Sequence, residues 1–355
     1  MRMSTSNHEQ LKQYYGKLLQ GTKDLKSSAC CCGDGDLPPR IRGIIGQIDE
    51  EILSKFYGCG SPLPPALDGK TVLDLGCGTG RDAYVVSRLV GPDGYVIGID
   101  MTSEQILVAQ RHIDSQAMRF GYEKPNVDFR QGYIEDLQES GIADESIDVV
   151  ISNCVINLSP DKRSVISEIF RVLRPGGELY FSDVFAGRRI PDYLMEDPVL
   201  HGECLAGAMY IEDFRRLLRN IGCSDYRVMS KRRISIDNPE LEEKIGMVDF
   251  YSMTVRAFKL NDLEDLCEDY GQSAVYLGTI PEAPHAFALD DHHLFLTGKP
   301  MLVCGNTASM LQNTRFSAHF RVIGDRAVHY GPFDCAPASV KAEGGEGHRS
   351  GGACC

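Results

Sequence analysis

The chain has 355 residues, with 37 basic against 50 acidic side chains and a formal charge of −13. That length supports one large core and a second, smaller one, and an acidic chain with no Lys/Arg-rich run argues against a nucleic-acid backbone or an anionic membrane surface as ligand. No window approaches the ~18 uninterrupted apolar residues of a membrane span, and the N-terminus MRMSTSNHEQLKQYY lacks the apolar core of a secretory signal, so a cytoplasmic protein is expected.

In chain order, HEQLKQYYGKLLQ (8–20) carries apolar residues at helical spacing and leads into a flexible Cys-, Gly- and Pro-rich segment up to Pro39. IRGIIGQIDEEILSKFY (41–57) suits one further helix, which GCGSPLPP cannot continue. From Thr71 to about Tyr180, β-branched strands alternate with helical stretches: TVLDLG, RDAYVVSRLV, YVIGID, SEQILVAQRHIDSQAMRFG, VDFRQGY, IDVVISN, KRSVISEIFRVL and ELYFSDV. Such alternation predicts a doubly wound, Rossmann-like α/β domain of parallel strands covered on both faces. Beyond about Lys231, short apolar runs separated by Gly, Pro and Asp predict a smaller α+β, β-rich unit, and APASVKAEGGEGHRSGGACC reads as a disordered tail. The expected organisation is 1–40 (helix and Cys-rich segment), 41–230 (α/β domain), 231–330 (small unit) and 331–355 (tail).

VLDLGCGTG (72–80) ends the first strand with glycines at 76, 78 and 80, and Asp100 closes the second strand. A glycine loop lets the backbone approach a ligand, and a carboxylate some twenty residues later accepts hydrogen bonds from a ribose diol. The G-x-G-x-G spacing with Asp74 in the loop would repel a pyrophosphate but suits a cation such as the sulfonium and ammonium of S-adenosylmethionine, as in the methyltransferase branch of the fold. Met101, Ile134 and Glu135 of GYIEDL, and Asn153 at the end of the fourth strand are further candidates for contact with the cofactor.

Thirteen cysteines in a reducing compartment are not expected to form a disulfide framework, and without CxxC pairs no local structural zinc site is expected. QYYGKLL, the run Cys30–Cys31–Cys32, FYGCG, DLGCGTGRD, GIDMT, SNCVINL, RPGGELYFSDV and GECLAGA together resemble arsenite methyltransferases over about Gln13 to Arg321. The resemblance implies a class I methyltransferase domain and an enzyme that methylates trivalent arsenic held by Cys154 and Cys204. The chemistry is consistent: thiolates select soft, thiophilic centres, and the arsenic lone pair attacks without a general base. The resemblance further implies that Cys59 and one of Cys30, Cys31 and Cys32, with Cys30 the best match, close a disulfide to supply electrons. It also implies that Tyr57 closes over the cofactor.

The co-substrates expected are arsenite or its thiol adducts and a thiol reductant, glutathione or thioredoxin, acting on a monomer. Cys223, Cys267 and Cys304 are read as inert buried thiols and Cys77 as filler of the loop, while Cys354 and Cys355 fall in the tail. Asp291-His292-His293 is read as a solvated turn. Rival functions are methylation of a small organic molecule and arsenic binding without catalysis.

Overall fold

The computed structural model describes residues 37–55, 58, 60–195, 200, 205–235 and 239–335. Its centre is a sheet ordered β3-β2-β1-β4-β5-β8-β7. These strands are β1 (Thr71–Leu75), β2 (Tyr95–Asp100), β3 (Val127–Gln131), β4 (Ile147–Asn153), β5 (Leu173–Ala186), β7 (Tyr226–Arg233) and β8 (Phe250–Phe258), and the short β6 (Met209–Tyr210) pairs with β5. Strands β1 to β5 pair with one another in parallel; β8 runs antiparallel to both β5 and β7. Val72, Leu73 and Leu75 are fully buried, as expected of a strand covered on both faces.

Three expectations need correction. The span 41–57 is not one helix: Pro39–Ile45 ends at Gly46, and Asp49 caps a new helix, Glu50–Leu53, by accepting a hydrogen bond from the Glu51 N–H. An Asp that can serve as N-cap competes with helix continuation. Likewise the 103–121 stretch breaks at His112 into helices Ser103–Arg111 and Ile113–Phe120.

The third concerns the domain boundary at about Lys231, which falls inside β7, while the sheet continues through Phe258. β8 is paired along nine residues of β5, and its apolar run has the same texture as the strands that follow.

Those later strands are β9 (Glu268–Asp269), β10 (Gln272–Tyr276), β11 (Ala286–Ala288), β12 (Leu294–Leu296), β13 (Pro300–Val303), β14 (Phe320–Ile323) and β15 (Gly331–Pro332), with a helix at Gly305–Gln312. They form a three-stranded sheet β13-β10-β14 and the pairs β11-β12 and β15-β9. The small unit is α+β as expected, but it does not enclose a separate core. Leu179, Phe181 and Phe258 of the large sheet lie in one apolar cluster with Phe287, Phe295, Phe316 and Phe320. Because β15 pairs with β9, residues 331–335 belong to this unit and not to a tail.

A buried ionic group crosses the same boundary. Glu178 on β5 is fully buried and accepts from Arg256 Nε on β8 at 2.5 Å, and it also pairs with Arg315 of the small unit. Arg315 in turn donates to the Pro65 carbonyl at 3.1 Å, so the small unit also holds the segment leading into β1.

Candidate active site

The strand order reverses between β1 and β4, and a cleft with about 1030 Å³ of empty space opens at their C-terminal ends. Doubly wound sheets bind ligands at this switch point. Asp74, Gly76, Gly78, Asp100, Met101, Ile134, Glu135, Asn153 and Cys154 all line it.

The loop after β1 is fixed by backbone bonds, with Gly76 N and Cys77 N donating to the Ile99 carbonyl at 2.7 and 3.0 Å. Gly76 has φ +69°, and a Cβ there would lie 2.2 Å from Val155 Cγ2, so only glycine fits. Gly80 differs from its expected role. It precedes the helix Arg81–Val90 and does not line the cleft, and its missing Cβ makes room for the Phe129 ring, 2.7 Å from where that atom would be.

Asp74 is 2% exposed, and its Oδ2 has no hydrogen-bond partner. Burial, then the neighbouring Asp82 and Asp100, push its carboxyl well above the usual carboxylate range. An orphaned buried acceptor among other carboxylates is the environment a cationic ligand would complete, so the donor set fits S-adenosylmethionine. Asp100 Oδ2 and Oδ1 accept from Gly78 N at 3.0 Å and Thr102 N at 2.8 Å, which orients the carboxylate at the cleft rim. Glu135 Oε1 accepts from Ser159 Oγ at 2.5 Å.

Asn153 does more than line the cleft. Its Nδ2 donates to the Gly60 carbonyl at 3.0 Å and to Asp82 Oδ2 at 2.8 Å, while its Oδ1 accepts from Gly60 N at 3.2 Å. The amide thereby ties the segment at Gly60 to the end of β4 and to the first turn of Arg81–Val90. Asp82 was not singled out from the sequence, although it ends the DLGCGTGRD motif.

Cys154 follows directly on β4 with φ +58°, a left-handed conformation that costs a non-glycine residue about 1–3 kcal/mol. The Cys154 N–H to Ser182 carbonyl bond (2.8 Å) holds it, and Asn157 clamps the following turn by donating from Nδ2 to Asp183 Oδ1 at 2.7 Å. Burial pushes the Asp183 carboxyl up to about 7. Cys154 is 3% exposed and packs in a cluster with Leu205, Ala206 and Ala208, the residues that follow position 204 in the chain. It takes part in a disulfide bond, so it is not the free thiolate expected from the sequence. Cys30, Cys31, Cys32, Tyr57, Cys59, Cys204, Cys354 and Cys355 lie outside the described residues.

Cys77 and Cys223 are buried thiols raised by burial, Cys223 to about 12. Cys304 behaves in the opposite way and, with Cys267, departs from the inert reading. In the 291–293 turn Asp291 and His292 are exposed, as expected of a solvated turn, but His293 is not. His293 is 5% exposed and bonded through Nδ1 to Asp290 at 2.8 Å, because the turn folds back onto a buried carboxylate.

A parallel sheet of order 3-2-1-4-5, a glycine loop after β1 and an acid closing β2 define a class I S-adenosylmethionine-dependent methyltransferase domain. Residues 66–222 match the methyltransferase domain family, and residues 270–355 match the arsenite methyltransferase C-terminal domain family. The chain is 54% identical over 327 residues to an arsenite methyltransferase of Aquipseudomonas alcaligenes, spanning 92% of this chain and 94% of that one. It is 42% identical over 315 residues to the arsenite methyltransferase of Mus musculus, spanning 88% and 82%. The crystal structure of an arsenic(III) S-adenosylmethionine methyltransferase from Chlamydomonas reinhardtii superimposes with a TM-score of 0.82 at 54% identity, covering 84% of this chain and 100% of that one. The chain belongs to the arsenite methyltransferase family.

Proposed function

We infer that the chain transfers methyl groups from S-adenosylmethionine to trivalent arsenic, giving mono- and dimethylated products and, with a further round, the trimethylated form. The observation that carries this reading is the position of Cys154. A sulfur on the wall of the same cleft as the orphaned Asp74 carboxylate puts a soft ligand beside a site for a sulfonium.

Bound in the cleft, the cofactor supplies an electrophilic methyl group. The chain's own residues do the rest. Asp74 and Asp100 attract and orient the cation, Met101 and Ile134 offer apolar contact to the adenine, and Glu135 offers an acceptor. Asn153 holds the Gly60 backbone beside the end of β4. Cys154, with Cys204 as its partner, binds arsenic through thiolates and leaves the lone pair facing the methyl group; the apolar cluster that Cys154 shares with Leu205 and Ala206 supports this pairing.

A cysteine in a disulfide cannot ligate arsenic, so two electrons must first reduce the bond that Cys154 holds. Transfer raises arsenic formally from the trivalent to the pentavalent state, and a further two electrons are needed for the next round. We assign these to Cys59 with one of Cys30, Cys31 and Cys32, Cys30 foremost, and finally to a glutathione- or thioredoxin-type thiol. Gly58 lines the cleft and Gly60 is anchored by Asn153, which supports a role for the position between them. Tyr57 is assigned to the cover of the cofactor. We assign this chemistry to a monomer working in the cytoplasm without a structural metal. Among the described residues no helix is long and apolar enough to cross a membrane.

Purified protein incubated with S-adenosylmethionine, arsenite and glutathione is expected to yield methylated arsenic species on chromatography. Cys154→Ser should lower their formation by about a hundredfold or more, the cost of losing placement of the reacting atom, while cofactor binding persists. Full turnover by Cys154→Ser would point instead to a small organic substrate. Arsenic binding with no methyl group leaving the cofactor would point to sequestration.

A further inference from the structure

In the small unit, Cys267, Cys304 and Cys335 bring their sulfur atoms within 4.8 Å of one another. Three chain segments build the cluster. Cys267 precedes β9, and the Phe333 N–H to Cys267 carbonyl bond at 2.8 Å, beside the β15–β9 pair, carries Cys335 to its side. Cys304 follows β13 and caps the helix Gly305–Gln312, its Sγ accepting from Thr307 N at 3.4 Å and lying 3.3 Å from Thr307 Oγ1.

The three sulfurs are chemically unequal. Cys267 takes part in a disulfide bond, Cys335 is partly exposed, and Cys304 is fully buried. Cys304 Sγ lies 3.9 Å from Arg227 Nη2. A hydrogen bond from Cys335 pulls the Cys304 thiol well below its ordinary range; burial opposes this, and Arg227 and Thr307 reinforce it. Arg227 itself sits between Asp225 (2.8 Å) and Asp290 (3.1 Å), so its position is fixed in the interior. A stabilised thiolate beside a disulfide sulfur is the arrangement from which thiol–disulfide exchange proceeds. It suits a metal cation poorly, because Cys267 already spends its sulfur in a bond and a guanidinium stands beside Cys304.

We propose that Cys267, Cys304 and Cys335 form an internal thiol–disulfide exchange centre in which Cys304 Sγ attacks Cys267 Sγ. The Cys304–Cys267 bond forms, the disulfide that Cys267 now holds breaks, and the departing sulfur leaves with the bonding pair as a thiolate. No net electrons are gained or lost. Attack by Cys335 on Cys304 Sγ then carries the bond to the partly exposed sulfur and frees Cys267 as the new thiolate. There a dithiol reductant breaks the bond, two electrons passing from the dithiol as it closes to its own disulfide. Oxidising equivalents in the small unit would thus be moved from the interior to the surface.

The test follows the full-length protein during timed reduction by dithiothreitol, without S-adenosylmethionine or arsenite, so that the result is independent of the methylation reading. Samples are quenched in acid, alkylated with N-ethylmaleimide and mapped by mass spectrometry. A Cys267–Cys304 linked peptide is expected in the wild type and not in Cys304→Ser, where reduction of the Cys267 disulfide should slow by about tenfold or more, given the lost attacking thiolate. Serine can keep the helix cap. Cys335→Ser, at a less buried site, should retain the Cys267–Cys304 linkage but delay its disappearance. Wild-type reduction rates in both variants, with no Cys267–Cys304 peptide at any time, would overturn the proposal. So would a zinc ion held by the reduced wild type in native mass spectra and lost in either variant, since the three sulfurs would then be an ion site.

Discussion

Asn153 at the end of β4 and Asp82 in the first turn of Arg81–Val90 share a 2.8 Å hydrogen bond, and the same Asn153 amide brackets both the N–H and the carbonyl of Gly60. One side chain therefore joins a strand end, a helix start and the backbone at Gly60. Asn153→Ala removes three hydrogen bonds at once and leaves Asp82, itself 4% exposed, with fewer partners. Each lost bond of this kind costs about 0.5–1.5 kcal/mol, so S-adenosylmethionine binding is expected to weaken by roughly tenfold or more. Calorimetric titration with far-UV dichroism as a folding control measures it. Unchanged affinity would show that the bracket does not shape the cleft.

Asp74 predicts a pH dependence of cofactor binding. Burial first, then Asp82 and Asp100, raises its pKa in the empty cleft, while a bound cation favours the carboxylate. Below the raised pKa the carboxyl is neutral and must release its proton on binding. Affinity for S-adenosylmethionine should therefore rise with pH, by up to about tenfold per unit, until Asp74 is ionised in the free protein. The same raised pKa acts on folding in the opposite direction: the stability it contributes is complete below the ordinary Asp range and is lost as pH rises toward the shifted value. Titrations in two buffers of different ionisation enthalpy should report proton release, which Asp74→Asn should abolish along with most of the affinity. Binding without proton release in the wild type would refute the account.

Glu178 carries a stability prediction. It is fully buried between Arg256 and Arg315, and Arg256 is fully buried as well. Glu178→Gln keeps the volume but leaves two interior guanidiniums without their shared counter-charge, and breaking a buried pair in this way costs about 3–5 kcal/mol. Urea denaturation should show that loss. A decrease below about 1 kcal/mol would mean that the network contributes little to the docking of the small unit.

Much of the fold was legible in advance because parallel strands covered on both faces appear as unbroken apolar runs, as in TVLDL and DVVIS. The glycine loop and Asp100 were legible because close backbone approach and ribose binding demand particular residue types at fixed spacing. Helix ends were less so: the breaks at Gly46–Asp49 and at His112 depend on capping and on the His112–Glu51 contact at 2.8 Å, which periodicity does not register. Gly80 shared the motif of its neighbours yet serves packing against Phe129.

By itself, the sequence determined the α/β architecture and the cofactor class, since each rests on local composition and spacing. Tertiary structure alone decided that Asp74 Oδ2 is buried without a partner and that Glu178 bridges two units. It alone brought Cys304, distant in the chain from Cys267 and close to a guanidinium on β7, into a cluster that lowers its thiol below the ordinary range. Burial, charge and hydrogen bonding at a side chain are sums over neighbours that folding brings from remote positions, and a linear pattern holds no record of those distances.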